Sequence, residues 1–172
     1  MKAKMLQTEL IASSEWGNEQ DWTELAARAA KAGIAASVHA DLLARNFEME
    51  LSVKLSDNAD VQSLNKAYRG KDKPTNVLSF PQIQPDLLEA LANTDDGEAL
   101  LGDIILAYET CRDEAAAKEI PFSDHIAHLI VHGSLHLLGY DHENEIDAGM
   151  MENCEINALA TLGIANPYAE QT

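Results

Sequence analysis

The sequence predicts an α+β (mixed α/β) fold, a sheet of about four strands packed with about five helices around a central helix that carries histidines. Strand-like alternation is confined to the first two thirds of the chain, and helical composition takes over from Tyr108. The stretch 123–139 is apolar on nearly every side, the mark of a helix buried among other elements. A length of 172 residues suits one domain with a single core, so 1–172 is read as one domain. With 46% apolar and 24% charged residues, the composition is that of a folding chain and excludes disorder.

Residues 4–11 read as a strand. So does the run 48–55, where Met49, Leu51, Val53 and Leu55 fall on one face, so that the sheet keeps one wet side. Between them, 22–44 is rich in Ala and Leu and predicts a helix interrupted near Gly33. Ser56 or Asp57 caps a further helix ending near Gly70. Two short strands follow, 76–80 stopped by Pro81 and 101–107. The segment 82–98, with Pro85, Gly97 and several acidic residues around the apolar patch 87–91, reads as a solvent-facing excursion. The remaining pattern gives helices over about 108–119, 123–138 and 146–162, the last closed by Gly163 with Pro167 beyond.

Two cysteines, Cys111 and Cys154, are too few for a disulfide framework or a thiolate metal site, and they read as thiols of a reducing compartment. No signal peptide is visible, because Gln7, Thr8 and Glu9 break the first apolar run. The longest uncharged stretch, 125–140, holds four histidines and falls short of the roughly 20 apolar residues of a bilayer span. The expectation is a cytoplasmic protein without a membrane segment. A formal net charge of −17 opposes nonspecific binding to nucleic acid. Four of the twelve basic residues, Lys66, Arg69, Lys71 and Lys73, nevertheless fall within eight positions, so a local positive site fits inside an acidic envelope.

The histidines of 123–139 carry the chemistry. Ser123 is read as the helix cap and Gly139 as its left-handed terminator. His132 and His136, four apart, project from one face on successive turns, a spacing that brings two imidazoles to one metal. His128 cannot be the third ligand, because it lies about 12 Å from His136 along a straight helix while metal–nitrogen bonds are about 2.1 Å. It is read as a packing residue or as a partner to a ligand, and His39 and His125 as structural or solvated. The chain turns at Gly139, and His142 is the third candidate. The spacing matches the metzincin protease signature, and three neutral imidazoles leave a zinc ion an open position, as in catalytic sites. The glutamate that serves those proteases as base is replaced here by Gly133, so peptide hydrolysis by that route lacks its base.

The segment His132-Gly133-Ser134-Leu135-His136-Leu137-Leu138-Gly139-Tyr140-Asp141-His142 resembles the YbeY family signature H-G-x-L-H-L-x-G-Y-D-H at every specified position. Residues 68–81, Leu101-Gly102-Asp103-Ile104 and the tail with Asn166-Pro167-Tyr168 extend the resemblance over about 48–168. It implies a zinc-dependent endoribonuclease specific for single strands, with one Zn²⁺ per chain held by His132, His136 and His142. It also implies a part in 16S ribosomal RNA 3′-end maturation and ribosome quality control, with ribosomal RNA and the small ribosomal subunit or its proteins as partners. Arg69 takes the place of the family's functionally important arginine, and it suits a bidentate hold on a phosphate. Lys71 and Lys73 become candidate backbone contacts.

No general base is assigned. Asp141 and Asp103 are candidate carboxylates behind the ligands or in proton transfer. Two other readings stay open: a metzincin-like metalloprotease or other zinc hydrolase, favoured by ligand spacing and acidic surface, and a ribosome assembly factor whose metal is structural. The sequence sets neither the native metal nor the oligomeric state.

Overall fold

The computed structural model describes residues 6–44, 48–84, 87–88, 90 and 98–169. Four strands, β1 (Leu6–Ala12), β2 (Glu48–Ser56), β3 (Val77–Pro81) and β4 (Glu98–Ala107), form one sheet in the order β1-β2-β4-β3. β1 and β4 run parallel to β2, while β3 pairs antiparallel with β4 and forms an edge. Five helices accompany them among the described residues: α1 (Trp22–Ala35), α2 (Asn58–Arg69), α3 (Tyr108–Lys118), α4 (Phe122–Leu137) and α5 (Glu145–Thr161).

Alternation decides which face of the sheet is dry. Met49, Leu51, Val53 and Leu55 of β2 are all buried toward α1 and α4, as the sequence pattern requires. β4 carries an extra residue, Leu101, where its pairing with β2 slips between Glu50 and Leu51. The bulge resets the alternation, so that Leu101, Gly102, Ile104 and Leu106 are buried while Asp103 is not. α4 lies at the centre, against β3, β4, α1, α3 and α5. α2 covers part of the opposite face, over Leu78, Ile105 and Ala107.

Local chemistry sets the ends of the elements. Asp21, Asp57 and Asn144 cap α1, α2 and α5 by accepting from the backbone N–H three residues on. An aromatic cluster of Trp16, Trp22, Tyr108 and Phe122, with ring centres 5.3 to 5.8 Å apart, holds the starts of α1, α3 and α4 together. No helix among the described residues is long and apolar enough to cross a membrane.

Several predicted boundaries differ. α1 stops at Ala35, not near 44, and Ala40–Leu43 is a separate 3₁₀ turn. Gly33 does not interrupt α1. It is the point of close contact with α4, where a methyl would stand 3.4 Å from the Val131 carbonyl oxygen. Ser123 is not the cap of α4. The helix begins at Phe122, which the aromatic cluster anchors, and Pro121 occupies the capping position without a side-chain bond. Lys4 and Met5 of the predicted first strand lie outside the described residues, as does most of 82–98. Within that segment Leu88 is buried in the core, so its apolar patch is not wholly turned to solvent.

Candidate metal centre

The end of α4 builds the site. Gly139, at φ 102°, lets its own N–H donate to the His136 carbonyl and that of Tyr140 to the Leu135 carbonyl, each at 3.0 Å. This Schellman turn stops the helix and swings the Tyr140 carbonyl oxygen to 2.8 Å from His136 Nδ1. A carbonyl only accepts, so the His136 proton sits on Nδ1 and the Nε2 lone pair is bare. The Tyr140 hydroxyl accepts from the Val38 N–H at 2.9 Å, which ties the turn to the segment after α1. Asp141 Oδ1 accepts from the His142 N–H at 2.7 Å and shapes the return of the chain.

The turn brings His132, His136 and His142 together, with one ligand atom from each lying within 4.8 Å of the others. His136 Nε2 is 3.1 Å from His132 Nε2. Burial, helped by the neighbouring His132, pushes the His136 pKa down to about 4, so this ring is neutral at neutral pH.

Behind His132 stands Glu155 of α5, a carboxylate only 1% exposed. Its Oε1 accepts from His128 Nε2 at 2.6 Å and from the Tyr168 hydroxyl at 2.8 Å, and it lies 3.4 Å from His132 Nδ1. Burial alone would raise the Glu155 pKa. Hydrogen bonds from His128, His132 and Tyr168 outweigh it and hold the pKa at about 2. An ionised carboxylate only accepts, so in the neutral form of His132 the proton belongs on Nδ1, the side that faces Glu155. With both rings in that form, two bare Nε2 lone pairs face each other 3.1 Å apart, an arrangement that a cation completes. The donor set therefore fits a divalent ion, with His142 as third imidazole.

The histidines open onto a cleft of about 790 Å³, lined also by the edge strand β3 and by Arg69, the last residue of α2. Arg69 is exposed, and no carboxylate among the described residues lies within ion-pair distance of it. Lys66 instead pairs with Asp72 at 3.9 Å, and Lys71 and Lys73 are exposed without lining the cleft.

The structure separates the other sequence candidates. His128 bonds Glu155, and His125, buried, bonds Glu114 at 2.8 Å. His39 is buried. Asp141 lines the cleft, but Asp103 is not brought to the metal centre. The β4 alternation turns it to the α2 side of the sheet, where it lines a separate cavity of about 390 Å³ with Tyr68 and Phe80. Sequence reasoning missed Glu155. Its signal was a carboxylate at a core position of the stripe Met151, Glu155, Ala158, Leu159, where an apolar residue is the norm.

Fold and site together define a class, the α+β proteins that present three histidines able to hold a metal beside an open cleft. The family described as Endoribonuclease YbeY matches residues 15–163. This chain belongs to that family, and the family is one of nucleases.

Relatives named Endoribonuclease YbeY include one from Sphingopyxis alaskensis, 54% identical over 97% of this chain and 99% of its own length. Another, from Rhizorhabdus wittichii, is 52% identical over 96% and 98%. A third, from Zymomonas mobilis, is 45% identical over 96% and 94%. The solution structure of TM1509 from Thermotoga maritima shares the fold, with a TM-score of 0.53 at 19% identity over 96% of this chain and 99% of that one.

Proposed function

We propose that this chain is a zinc-dependent endoribonuclease that cleaves phosphodiester bonds of single-stranded RNA, with His132, His136 and His142 holding one metal ion and Arg69 holding the phosphate. The observation that carries the reading is the convergence of three imidazoles within 4.8 Å beside a cleft that also carries Arg69, which has no ion-pair partner among the described residues. The relatives' printed name supports RNA as the substrate class.

A bound zinc ion supplies Lewis acidity to the phosphodiester or to water. The chain's own residues do the rest. His136 is kept neutral by burial and oriented by the Tyr140 carbonyl, and the Glu155 carboxylate stands 3.4 Å behind His132 Nδ1. Arg69 offers two parallel N–H donors to the nonbridging oxygens and offsets the charge that develops on them. The peptidase reading is weakened by Gly133, which places no carboxylate after the first histidine.

Ribosomal RNA at the 16S 3′ end, the small ribosomal subunit as partner and the cytoplasm as compartment complete the reading, on the strength of the family resemblance. The shared core, which runs from Trp16 to Leu159, supports treating 1–172 as one domain.

The test pairs elemental analysis of untagged protein with cleavage of unstructured RNA and of casein. About one zinc per chain is expected, with RNA cleavage lost on chelation, restored by zinc and absent in His136→Ala. Proteolysis that depends on His136, without RNA cleavage, would overturn the reading. So would full rescue of ribosomal RNA processing by a folded Arg69→Ala, His136→Ala double variant, which would leave the metal a structural role.

A further inference from the structure

We propose that Glu155 is the positioning residue of the metal centre: its carboxylate takes the Nδ1 proton side of His132 and so presents Nε2 to the ion, while Tyr168 and His128 hold that carboxylate in place. The inference rests on the metal reading above, and it assigns a role to the segment after α5 that the cleft itself does not require.

The argument starts from an unusual burial. α5 turns Met151, Glu155, Ala158 and Leu159 to the interior, and an apolar side chain at 155 would continue that stripe without the cost of desolvating a carboxylate. Among the described residues no lysine or arginine compensates the charge. Instead Oε1 gathers a short bond from His128 Nε2, 2.6 Å, a short bond from the Tyr168 hydroxyl, 2.8 Å, and a longer approach from His132 Nδ1, 3.4 Å. Two of these donors stand outside the proposed ligand set and orient the oxygen, and the third belongs to a ligand.

The two helix imidazoles are therefore held from behind in the same sense. For His136 the acceptor is the Tyr140 carbonyl, part of the backbone turn and beyond the reach of side-chain substitution. For His132 it is a side chain, so the second support can be removed. Acceptors at this place fix the tautomer of a ligating histidine and raise its basicity. Tyr168 ties the device to the end of the chain: its ring stands edge-on to His128 at 5.6 Å while its hydroxyl reaches Glu155. Glu114 of α3 and His125 of α4 form a second carboxylate–histidine pair, 2.8 Å apart, but no metal-ligand candidate contacts it. That pair supplies the control.

The experiment compares wild-type protein with Glu155→Gln, Glu155→Leu, Tyr168→Phe and, as control, Glu114→Gln. Zinc affinity is read by competition with a chromophoric chelator, and the histidine tautomers of metal-free protein by long-range ¹H–¹⁵N correlation at pH 8. Expected for wild type is His132 protonated on Nδ1. Zinc affinity should fall roughly 10- to 100-fold in both Glu155 variants and several-fold in Tyr168→Phe. Glu114→Gln should leave it within about 2-fold, inside the scatter of a change remote from the ligands. Rescue also discriminates: Gln keeps an acceptor oxygen and should retain more Nδ1-protonated His132 than Leu.

Unchanged zinc affinity in both Glu155 variants, with His132 still protonated on Nδ1, overturns the inference and leaves the metal centre standing. A wild-type protein that takes up no zinc overturns the metal reading, and the tautomer measurement then judges Glu155 by itself: His132 protonated on Nε2 would refute it. If a Glu155 variant fails to fold, Tyr168→Phe, which removes one hydroxyl, carries the same comparison.

Discussion

Gly133 lies directly against Ile104: a methyl group at Gly133 would stand 3.0 Å from Ile104 Cγ2 and within 3.2 Å of two further atoms of that side chain. Ile104 is fully buried on β4, so it has little room to yield. The position that holds the catalytic glutamate in metzincin proteases thus faces the sheet in this chain. The glycine lets the histidine-bearing helix approach β4.

A peptidase base therefore cannot be installed by restoring that glutamate. Gly133→Glu should lose about 3 kcal/mol or more of stability by overpacking and by burying an unpaired carboxylate, measured by urea denaturation. It should gain no activity on casein. A variant that folds as well as wild type and digests casein would show that the position opens to the cleft.

Arg69 is exposed at the end of α2, so its removal should leave unfolding within about 0.5 kcal/mol of wild type. Arg69→Ala should nevertheless lower kcat/KM on single-stranded RNA by about 10²- to 10³-fold, the usual size of a lost charge-stabilising donor. Arg69→Lys should recover only part, because an ammonium does not reproduce the two-point grip. Equal rates for wild type and Arg69→Ala would remove the arginine from the proposed chemistry.

Glu114 accepts from His125 Nε2 at 2.8 Å and from Asn76 Nδ2 at 3.0 Å, which ties α3 to α4 and to the start of β3. The His125 bond, against burial and helped by Asn76, holds its pKa below the ordinary 4.5. A lowered folded-state pKa means that the contribution to stability is present above 4.5 and is lost as pH falls through the folded value. With about a third of the side chain exposed, the contribution should be of order 1 kcal/mol. Denaturation of wild type and Glu114→Gln should differ at pH 6 and converge as the pH falls below the ordinary 4.5 and through the lowered folded-state value. A gap that widens toward acid would contradict this.

Cys111 is fully buried on α3, and burial, with the nearby Glu114 charge, pushes its thiol up to about 12. At pH 8 it should resist a disulfide reagent in the folded protein, while half-buried Cys154 is the accessible thiol. Both should react in denaturant. Peptide mapping that finds Cys111 labelled early in native protein would show that α3 opens readily.

Much of the fold is legible in the sequence because local periodicity reports local geometry. The alternation at Met49, Leu51, Val53 and Leu55 marks a half-buried strand, and the apolar run around His132 marks a central helix. Local pattern does not give the end of α1, because 36–44 keeps a helical composition although Ala36 ends the helix and Ala40–Leu43 forms a separate turn. Nor does it give the start of α4, because an aromatic cluster, invisible to local pattern, draws Phe122 into the first turn.

The three-histidine spacing with its turn glycine was determined by sequence alone, since helix pitch and a left-handed terminator bring His132, His136 and His142 near one another from local rules. Only the tertiary structure decided that Asp103 belongs to another cavity, that Gly133 is filled by Ile104, and that Glu155 and Tyr168 stand behind His132 and His128. Those relations join residues far apart in the chain. They depend on how the elements pack, which no local period encodes.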